Sequence, residues 1–424
     1  MTTEVLYSYF QQCGSVSTDT RKIIPGSLFF ALKGDKFNAN AFAAEALLKG
    51  AKFAVIDDES YKAGDQMLLV NDALASLQEL ARYHRRQLGL PVIALTGSNG
   101  KTTTKELINA VLSKKYNTKA TAGNLNNHIG VPLTLLSFNN DTEIGIVEMG
   151  ANHQKEIEFL CSIAEPNFGY ITNFGKAHLE GFGGVEGVIK GKSELYNYLQ
   201  ENTKTAFVNL DDKIQKDKTE NLPRFTFSSL SYNCDLKISK TEANPMVVIE
   251  YNGVAINSNL IGIYNAANIS AAIAIGSYFK VSDKQIKEAI EEYIPANNRS
   301  QLMERNGNRI ILDAYNANPS SMMAAIDNFS KLEGINKIAI LGDMFELGND
   351  STNEHKKIVE SVEDTGIETY FIGKDFYSNK LNNPQLKFYK SYEDFSREFK
   401  SFSGKTVLIK GSRGMALEKV LELI

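Results

Sequence analysis

The run ALTGSNGKTTTKE, residues 94–106, sets Gly100, Lys101 and Thr102 directly after an apolar stretch. A tight turn after a buried strand aims several backbone N–H groups at one point, and the helix that follows adds the positive end of its dipole, so such a junction attracts phosphate. Lys101 would neutralise the β and γ phosphates of a nucleoside triphosphate, and the Thr102 hydroxyl would ligate the Mg²⁺ they carry. In the pattern G-x-x-x-x-G-K-[ST] the first glycine would fall at position 95, where this chain has Leu95. Gly97 stands in its place and shortens the bend, leaving Gly97, Ser98, Asn99, Gly100, Lys101, Thr102 and Thr103 as the expected cradle. Guanine recognition by N-K-x-D finds only Asn336-Lys337-Ile338-Ala339, which lacks the aspartate, so ATP is the expected nucleotide.

Other residues could join this chemistry. Glu148 ends the apolar run EIGIVE, where a carboxylate can reach Mg²⁺ directly or through water. His178 lies in the glycine-flanked loop NFGKAHLEGFGG; on its own, a single histidine reads as a polar loop residue more readily than as a ligand. Lys192, in GVIKGKSELYNYL, reads on its own as a solvated helix lysine. Asn124, Asn126 and Asn127 suit turns, and Asn318-Pro319 is a ready helix start with asparagine as the cap and proline in the first position. Asn265 and Asn268, three apart, would share one helix face. Near the start, in STDTRK, Asp19 could cap a turn and Arg21 could pair with a diphosphate.

These residues need a frame, and the chain divides into three parts. Residues 1–88 carry two strand candidates, SLFFAL and KFAVID, and two helices, the second ending at Gly89. Residues 89–295 open with PVIALT, a helix through TTKELINAVLSKKY, and EIGIVEMG; the continuous apolar strands are those of a parallel sheet buried on both faces. TAFVN, RFTF, MVVIEY and VAINS extend the same part. In residues 296–424, RIILDAY, KIAILGD, TYFIG and TVLIKG alternate with helical patterns, a Rossmann-like arrangement. The expected fold is therefore α/β in three domains: a small N-terminal α/β domain, a central parallel-sheet ATP domain and a C-terminal Rossmann-like domain.

Composition narrows the setting. A net charge of -4 over 424 residues gives no footprint for nucleic acid. Cys13, Cys161 and Cys234 are odd in number and form no C-x-x-C pair, against a disulfide framework or a zinc site. The N-terminus has no signal-peptide pattern, and the most apolar stretch, AANISAAIAIGSYF, is too short to span a bilayer. A cytoplasmic location and a monomer are expected.

The variant loop TGSNGKTT resembles that of the Mur ligase family, the ATP-dependent enzymes that add amino acids to the peptidoglycan precursor. GNLNNHIGVPLTLL, VEMGANHQKEI, NFGKAHLEGFGG, YNAANISAA, LDAYNANPSSM, LGDMFELG and IKGSRGM extend the resemblance along almost the whole chain. YNANPSSM and LGDMFELG are most similar to the members that join D-alanyl-D-alanine to UDP-N-acetylmuramoyl-tripeptide. The resemblance implies a second Mg²⁺ near His178 and a carbamylated Lys192 that positions it, with Lys190 as the neighbouring alternative. It implies adenine contacts from Asn265 and Asn268, and nucleotide contacts from Arg299 and Asp313. Asn124, Asn126, Asn127, Asn316 and Asn318 would face the phosphate and the substrates, and Ser17, Asp19 and Arg21 the uridine diphosphate end. Two positions depart from the family pattern: Asn298 stands where Gly is usual before Arg299, and Leu312 where an aspartate is usual before Asp313.

Joining a carboxylate to an amine in water is uphill, so the carboxylate must first become an acyl phosphate, with ADP released, before the dipeptide amine attacks. Catalysis would rest on positioning and charge stabilisation, with closure of the domains excluding water. The alternatives are a folylpolyglutamate synthase-like ligase, a P-loop kinase or switch ATPase, and a non-catalytic nucleotide-binding module.

Overall fold

A computed structural model describes residues 1–295, 298–334 and 336–424. The first strands, Val16–Ser17, Leu28–Phe30, Phe53–Ile56 and Met67–Leu69, form a four-stranded parallel sheet in that order. The helix Ala73–Leu88 covers it and ends at Gly89, whose φ of +63° is the left-handed conformation that closes helices and favours glycine. Its other side grips the next unit: Arg85 donates to the carbonyls of Ala164 (3.1 Å) and Glu165 and to Asn167 Oδ1 (2.7 Å).

The central sheet has nine strands. Val92–Thr96, buried throughout, lies between the parallel strands Ile144–Glu148 and Phe168–Ile171. Thr205–Asn209, Arg224–Ser228 and Leu236–Ala243 continue the parallel order, and Met246–Tyr251 and Val254–Ile261 add antiparallel strands at one edge. Parallel strands deliver their C-terminal ends to one side of the sheet, where ligands of such folds bind. The loops at 97–100, 149–152 and 172–178 all emerge there.

The helix Lys101–Leu112 follows the first of these loops and stops four residues before the end of the helical pattern, at Ser113. The chain turns there and Tyr116 donates its hydroxyl to Phe279 O (2.7 Å), at the end of Ala266–Tyr278. That second helix is the apolar stretch singled out in the sequence, and it is almost wholly buried against the first. A Cβ on Gly276 would lie 2.5 Å from Val111 Cγ1, so glycine is what lets the two helices approach. Among the described residues no helix is long and apolar enough to cross a membrane.

The C-terminal sheet has six strands in the order Gln301–Arg305, Asn308–Asp313, Thr406–Lys410, Lys337–Gly342, Glu368–Ile372 and Leu386–Tyr389. All pairs are parallel except the first. Pro319–Lys331 and Ser351–Glu363 reach the central unit through Ser320 and Glu354, both of which bond Lys176.

Candidate active site

The loop between Val92–Thr96 and Lys101–Leu112 is shaped by its two glycines. Gly97 has φ +142°, and a Cβ there would fall 2.0 Å from Thr172 Oγ1; Gly100 has φ +78°, and a Cβ would fall 2.5 Å from Asn268 Oδ1. Neither position admits another residue without rebuilding its neighbour. Thr172 Oγ1 in turn donates to Asn99 O (2.6 Å), and Asn99 N donates to Asn173 Oδ1 (3.1 Å), so the adjoining strand's loop braces the cradle. The glycine displaced from position 95 thus serves close packing against Thr172.

Lys101 folds back over this loop, donating to Gly97 O at 2.8 Å. Burial pushes its ammonium below the ordinary lysine range; Glu148 opposes that shift and Arg299 adds to it. A polyanion brought to the loop would offer Lys101 a stronger partner than the carbonyls it now holds.

Glu148 ends its strand in register with Leu95, as its place in the sequence predicts, and is 2% exposed. Its carboxylate accepts from Thr102 Oγ1 (2.9 Å) and Asn126 Nδ2 (2.8 Å). Among the described residues no cation forms an ion pair with it. A buried carboxylate beside a hydroxyl, with only neutral donors, is a donor set that suits a hard divalent cation sharing its shell with substrate phosphates. The described residues hold no cluster of three or more His, Cys, Asp or Glu with metal-site geometry. A cation here would therefore depend on phosphate oxygens for the rest of its shell.

A cavity of about 780 Å³ joins these groups to the C-terminal unit. From the central unit it is lined by Ser98 to Thr103, Asn124, Asn126, Asn127, Glu148, His178, Asn265 and Asn268. From the C-terminal unit come Arg299, Asp313, Asn316 and Asn318. Asn265 immediately precedes the helix Ala266–Tyr278 and Asn268 lies in its first turn; Asn268 Nδ2 donates to Asn265 Oδ1 at 2.8 Å, and Thr104 Oγ1 donates to Asn268 Oδ1 at 3.0 Å. Asn318 acts twice: Oδ1 caps its helix by accepting from Ser321 N (2.9 Å), while Nδ2 donates to Asn99 Oδ1 (2.7 Å) in the loop before Lys101. The capping and the functional readings of that residue are compatible.

The two departures from the family pattern have a physical reading. Asn298 has φ +57°, a left-handed conformation that asparagine tolerates better than most residues, so it can replace a glycine there. Leu312 is buried, and Asp313 alone faces the cavity, where it accepts from Ser300 N (3.1 Å) and Lys410 (2.5 Å). Arg299 lies flat on Tyr315, 3.6 Å from its ring centre.

Lys410 and Tyr315 were not singled out in the sequence, although IKGSRGM and LDAYNANPSSM contain them. No local signal shows that Lys410 is buried and paired across strands with Asp313.

Lys192 does not line the cavity. It is 1% exposed, donates to Ala151 O at 3.0 Å, and lies 4.9 Å from the centre of the Phe182 ring. The solvated reading of this lysine fails because its helix carries Gly187 and Gly191 on the same side. Added Cβ atoms there would meet Phe182 at 1.8 and 2.4 Å, so the glycines let the 179–182 turn close over the amine. Burial, reinforced by the charge of Lys101, pushes its pKa well down, while Glu156 and Glu194 oppose this.

Ser17, Asp19 and Arg21 also lie outside the cavity lining. Asp19 caps the short turn Thr20–Lys22, as its type predicts, and Arg21 pairs with Asp19 at 2.8 Å. That pairing holds the Asp19 carboxyl down at about 2.

Comparison with known proteins matches residues 95–276 to the Mur ligase middle domain and 298–413 to the Mur ligase, glutamate ligase domain. The UDP-N-acetylmuramoyl-tripeptide–D-alanyl-D-alanine ligase of Bacillus subtilis is 34% identical, over 96% of this chain and 92% of its own length. A crystal structure of MurF from Acinetobacter baumannii superposes with a TM-score of 0.87 at 29% identity, covering 99% of this chain and 98% of the other. The ADP complex of the MurF ligase from Thermotoga maritima superposes at 0.83 and 26% identity, over 98% and 97% of the two chains. With two family domains matched in order and a relative 34% identical over nearly the whole of both chains, the chain belongs to the Mur ligase family.

Proposed function

We propose that the chain is the ATP-dependent ligase that joins D-alanyl-D-alanine to UDP-N-acetylmuramoyl-tripeptide, acting in the cytoplasm as a monomer. Its similarity to ligases of that activity over almost their full length supports the choice of substrates. The observation that carries the chemistry is the cavity in which Lys101, Thr102 and Glu148 face Asn316 and Asn318 of the C-terminal unit. A phosphate donor and two peptide substrates can meet there. We read residues 1–88, 89–295 and 296–424 as the UDP-substrate, ATP and acceptor domains.

ATP binds with its phosphates on the backbone N–H groups of residues 97–103, and Lys101 leaves its loop carbonyls for the β and γ phosphates. Asn265 and Asn268 border the adenine, with Arg299 and Asp313 toward the ribose. Ser17, Asp19 and Arg21 receive the uridine diphosphate, for which Arg21 must exchange Asp19 for phosphate. Thr102 and Glu148 would hold a first Mg²⁺ and His178 a second, which a carbamylated Lys192 would position. When bound, these ions neutralise the charge that builds on the transferred phosphoryl group.

The remaining work is positional. Asn124, Asn126 and Asn127 hold the tripeptide carboxylate in line with the γ phosphorus, and Asn316 and Asn318 keep the dipeptide amine beside it. Carboxylate oxygen attacks phosphorus, ADP leaves, the amine attacks the acyl carbon, and the tetrahedral intermediate expels phosphate. No protein nucleophile is used. Burial favours the neutral amine of Lys192, the form that reacts with CO₂.

The test is phosphate release with ATP, Mg²⁺, the UDP-tripeptide and D-alanyl-D-alanine, omitting each in turn. All four are expected to be required. Turnover that ignores the dipeptide would overturn the assignment.

A further inference from the structure

The LGDMFELG segment belongs to the C-terminal sheet, yet Glu346 reaches the central unit, where its carboxylate accepts from His178 Nδ1. The other ring nitrogen, Nε2, makes no hydrogen bond among the described residues, and the ring borders both the large cavity and a neighbouring one of about 240 Å³. A carboxylate on one nitrogen of a neutral imidazole fixes the proton there and leaves the lone pair on the opposite nitrogen. We propose that Glu346 is a positioning residue that holds His178 with Nε2 directed at a divalent cation, so that this metal position is completed only when the C-terminal unit is docked. The inference rests on the reading of His178 as a metal-holding residue given above.

A half-exposed side-chain hydrogen bond would by itself be weak and poorly oriented. What gives this one its geometry is a turn whose shape is set without reference to His178. Met344 N donates to Nε2 of His355 at 3.0 Å, and that imidazole is fully buried, its Nδ1 donating to Ser351 O at 2.8 Å. Phe345 N donates to Ser412 Oγ at 3.0 Å. Asp343 accepts from the backbone N–H groups of Asp375 and Phe376, each at 3.0 Å. Glu346 itself has φ +62°, which turns its side chain out of the C-terminal unit.

The docking surface agrees. Glu180 N donates to Glu346 O at 3.3 Å, two residues from His178. Gly348 is set against Glu180, where an added Cβ would come within 3.2 Å of that side chain. Backbone and carboxylate of one residue therefore meet the same short turn, and the imidazole is gripped from a unit other than its own.

Two measurements on the full chain test this. The chain has five histidines, so ¹⁵N imidazole spectra assigned with His178→Ala report the tautomer of His178 without any metal. The Nδ1–H form is expected in the native chain and its loss in Glu346→Ala. Mn²⁺ titration with a non-hydrolysable ATP analogue and the UDP-tripeptide is then followed by electron paramagnetic resonance. One class of Mn²⁺ should vanish in His178→Ala and weaken roughly 10- to 100-fold in Glu346→Ala. Glu346→Gln, whose amide oxygen still accepts from Nδ1–H, should lose less. An unchanged tautomer and unchanged Mn²⁺ affinity in Glu346→Ala, or a His178→Ala chain that keeps every Mn²⁺, would overturn the proposal. Dipeptide-dependent phosphate release in the native chain would leave the ligase reading standing in either case.

Discussion

Gly97 is the residue on which the proposed nucleotide site turns. Its φ of +142° lies where L side chains are strained, and the space a Cβ would need is filled by Thr172. Gly97→Ala is expected to cost at least about 1–3 kcal/mol from the backbone conformation alone and to abolish ADP binding. Thr172→Ala in the same chain removes the nearest clash but leaves the strain and the Thr172 N contact at 3.0 Å, so only part of the stability should return. Thermal unfolding of both variants with calorimetric ADP titration checks this; a Gly97→Ala chain that binds ADP normally would contradict it. At this scale much of the candidate site is legible in the sequence, because a phosphate cradle is made by adjacent residues. Glu148 is legible too, as the end of an apolar strand. Lys192 is not: its burial depends on Gly187, Gly191 and Phe182 meeting across two helices, and no periodicity in its own helix carries that information.

Elements differ in legibility for a related reason. Most strands buried on both faces stand out as apolar runs and are found from the sequence; the short Phe168–Ile171 and Met67–Leu69 are not, although both are largely buried. Gln301–Arg305 and Leu386–Tyr389 escape it because they form the two edges of their sheet, and Leu236–Ala243 because half of its face is wet. The helix Ala73–Leu88 is legible in extent, but the sequence does not tell what it joins. His84, on that helix, donates from Nε2 to Phe138 O (3.0 Å) and accepts at Nδ1 from Tyr7 (3.3 Å), bridging the first unit to the second. Burial lowers its pKa from 6.5, and the Phe138 carbonyl only partly offsets this. Between the lowered value and 6.5 the unfolded chain binds more protons than the folded one, so stability rises with pH across that window and falls on acidification below about 6.5. The contribution has a slope of at most about 1.4 kcal/mol per pH unit. His84→Gln keeps a donor for Phe138 and cannot titrate, so its urea stability should fall less than that of the native chain between neutral and mildly acidic pH. Equal losses would show that His84 is not the group responsible.

The C-terminal unit is joined to the central one by contacts that the sequence cannot show, since each links segments far apart in the chain. Asn318 reaches Asn99, Ser320 Oγ accepts from Lys176 N (2.9 Å), and Lys176 Nζ bonds Glu354 Oε1 (2.7 Å). The Lys176 pair is the one whose removal can be read cleanly. Glu354 is mostly buried but also pairs with Lys357 at 3.0 Å, so Lys176→Met leaves no orphaned carboxylate in the C-terminal unit. The lost attraction is then that of a partly solvated pair, about 1 kcal/mol, which corresponds to a roughly fivefold shift from closed toward open. Fluorescence energy transfer between dyes on the first and last units, or solution scattering, should show the native chain compacting with an ATP analogue and the UDP-tripeptide. The Lys176→Met chain should need about fivefold more ligand to reach the same compaction, because a ligand that binds the closed form must first supply the free energy the pair no longer contributes. Lys176 lies outside the phosphate cradle, so maximal compaction at saturation should be unchanged. A variant that closes at the native concentration would mean that Asn318 and Ser320 set the balance, and a native chain that does not compact would mean that closure is complete before the substrates arrive.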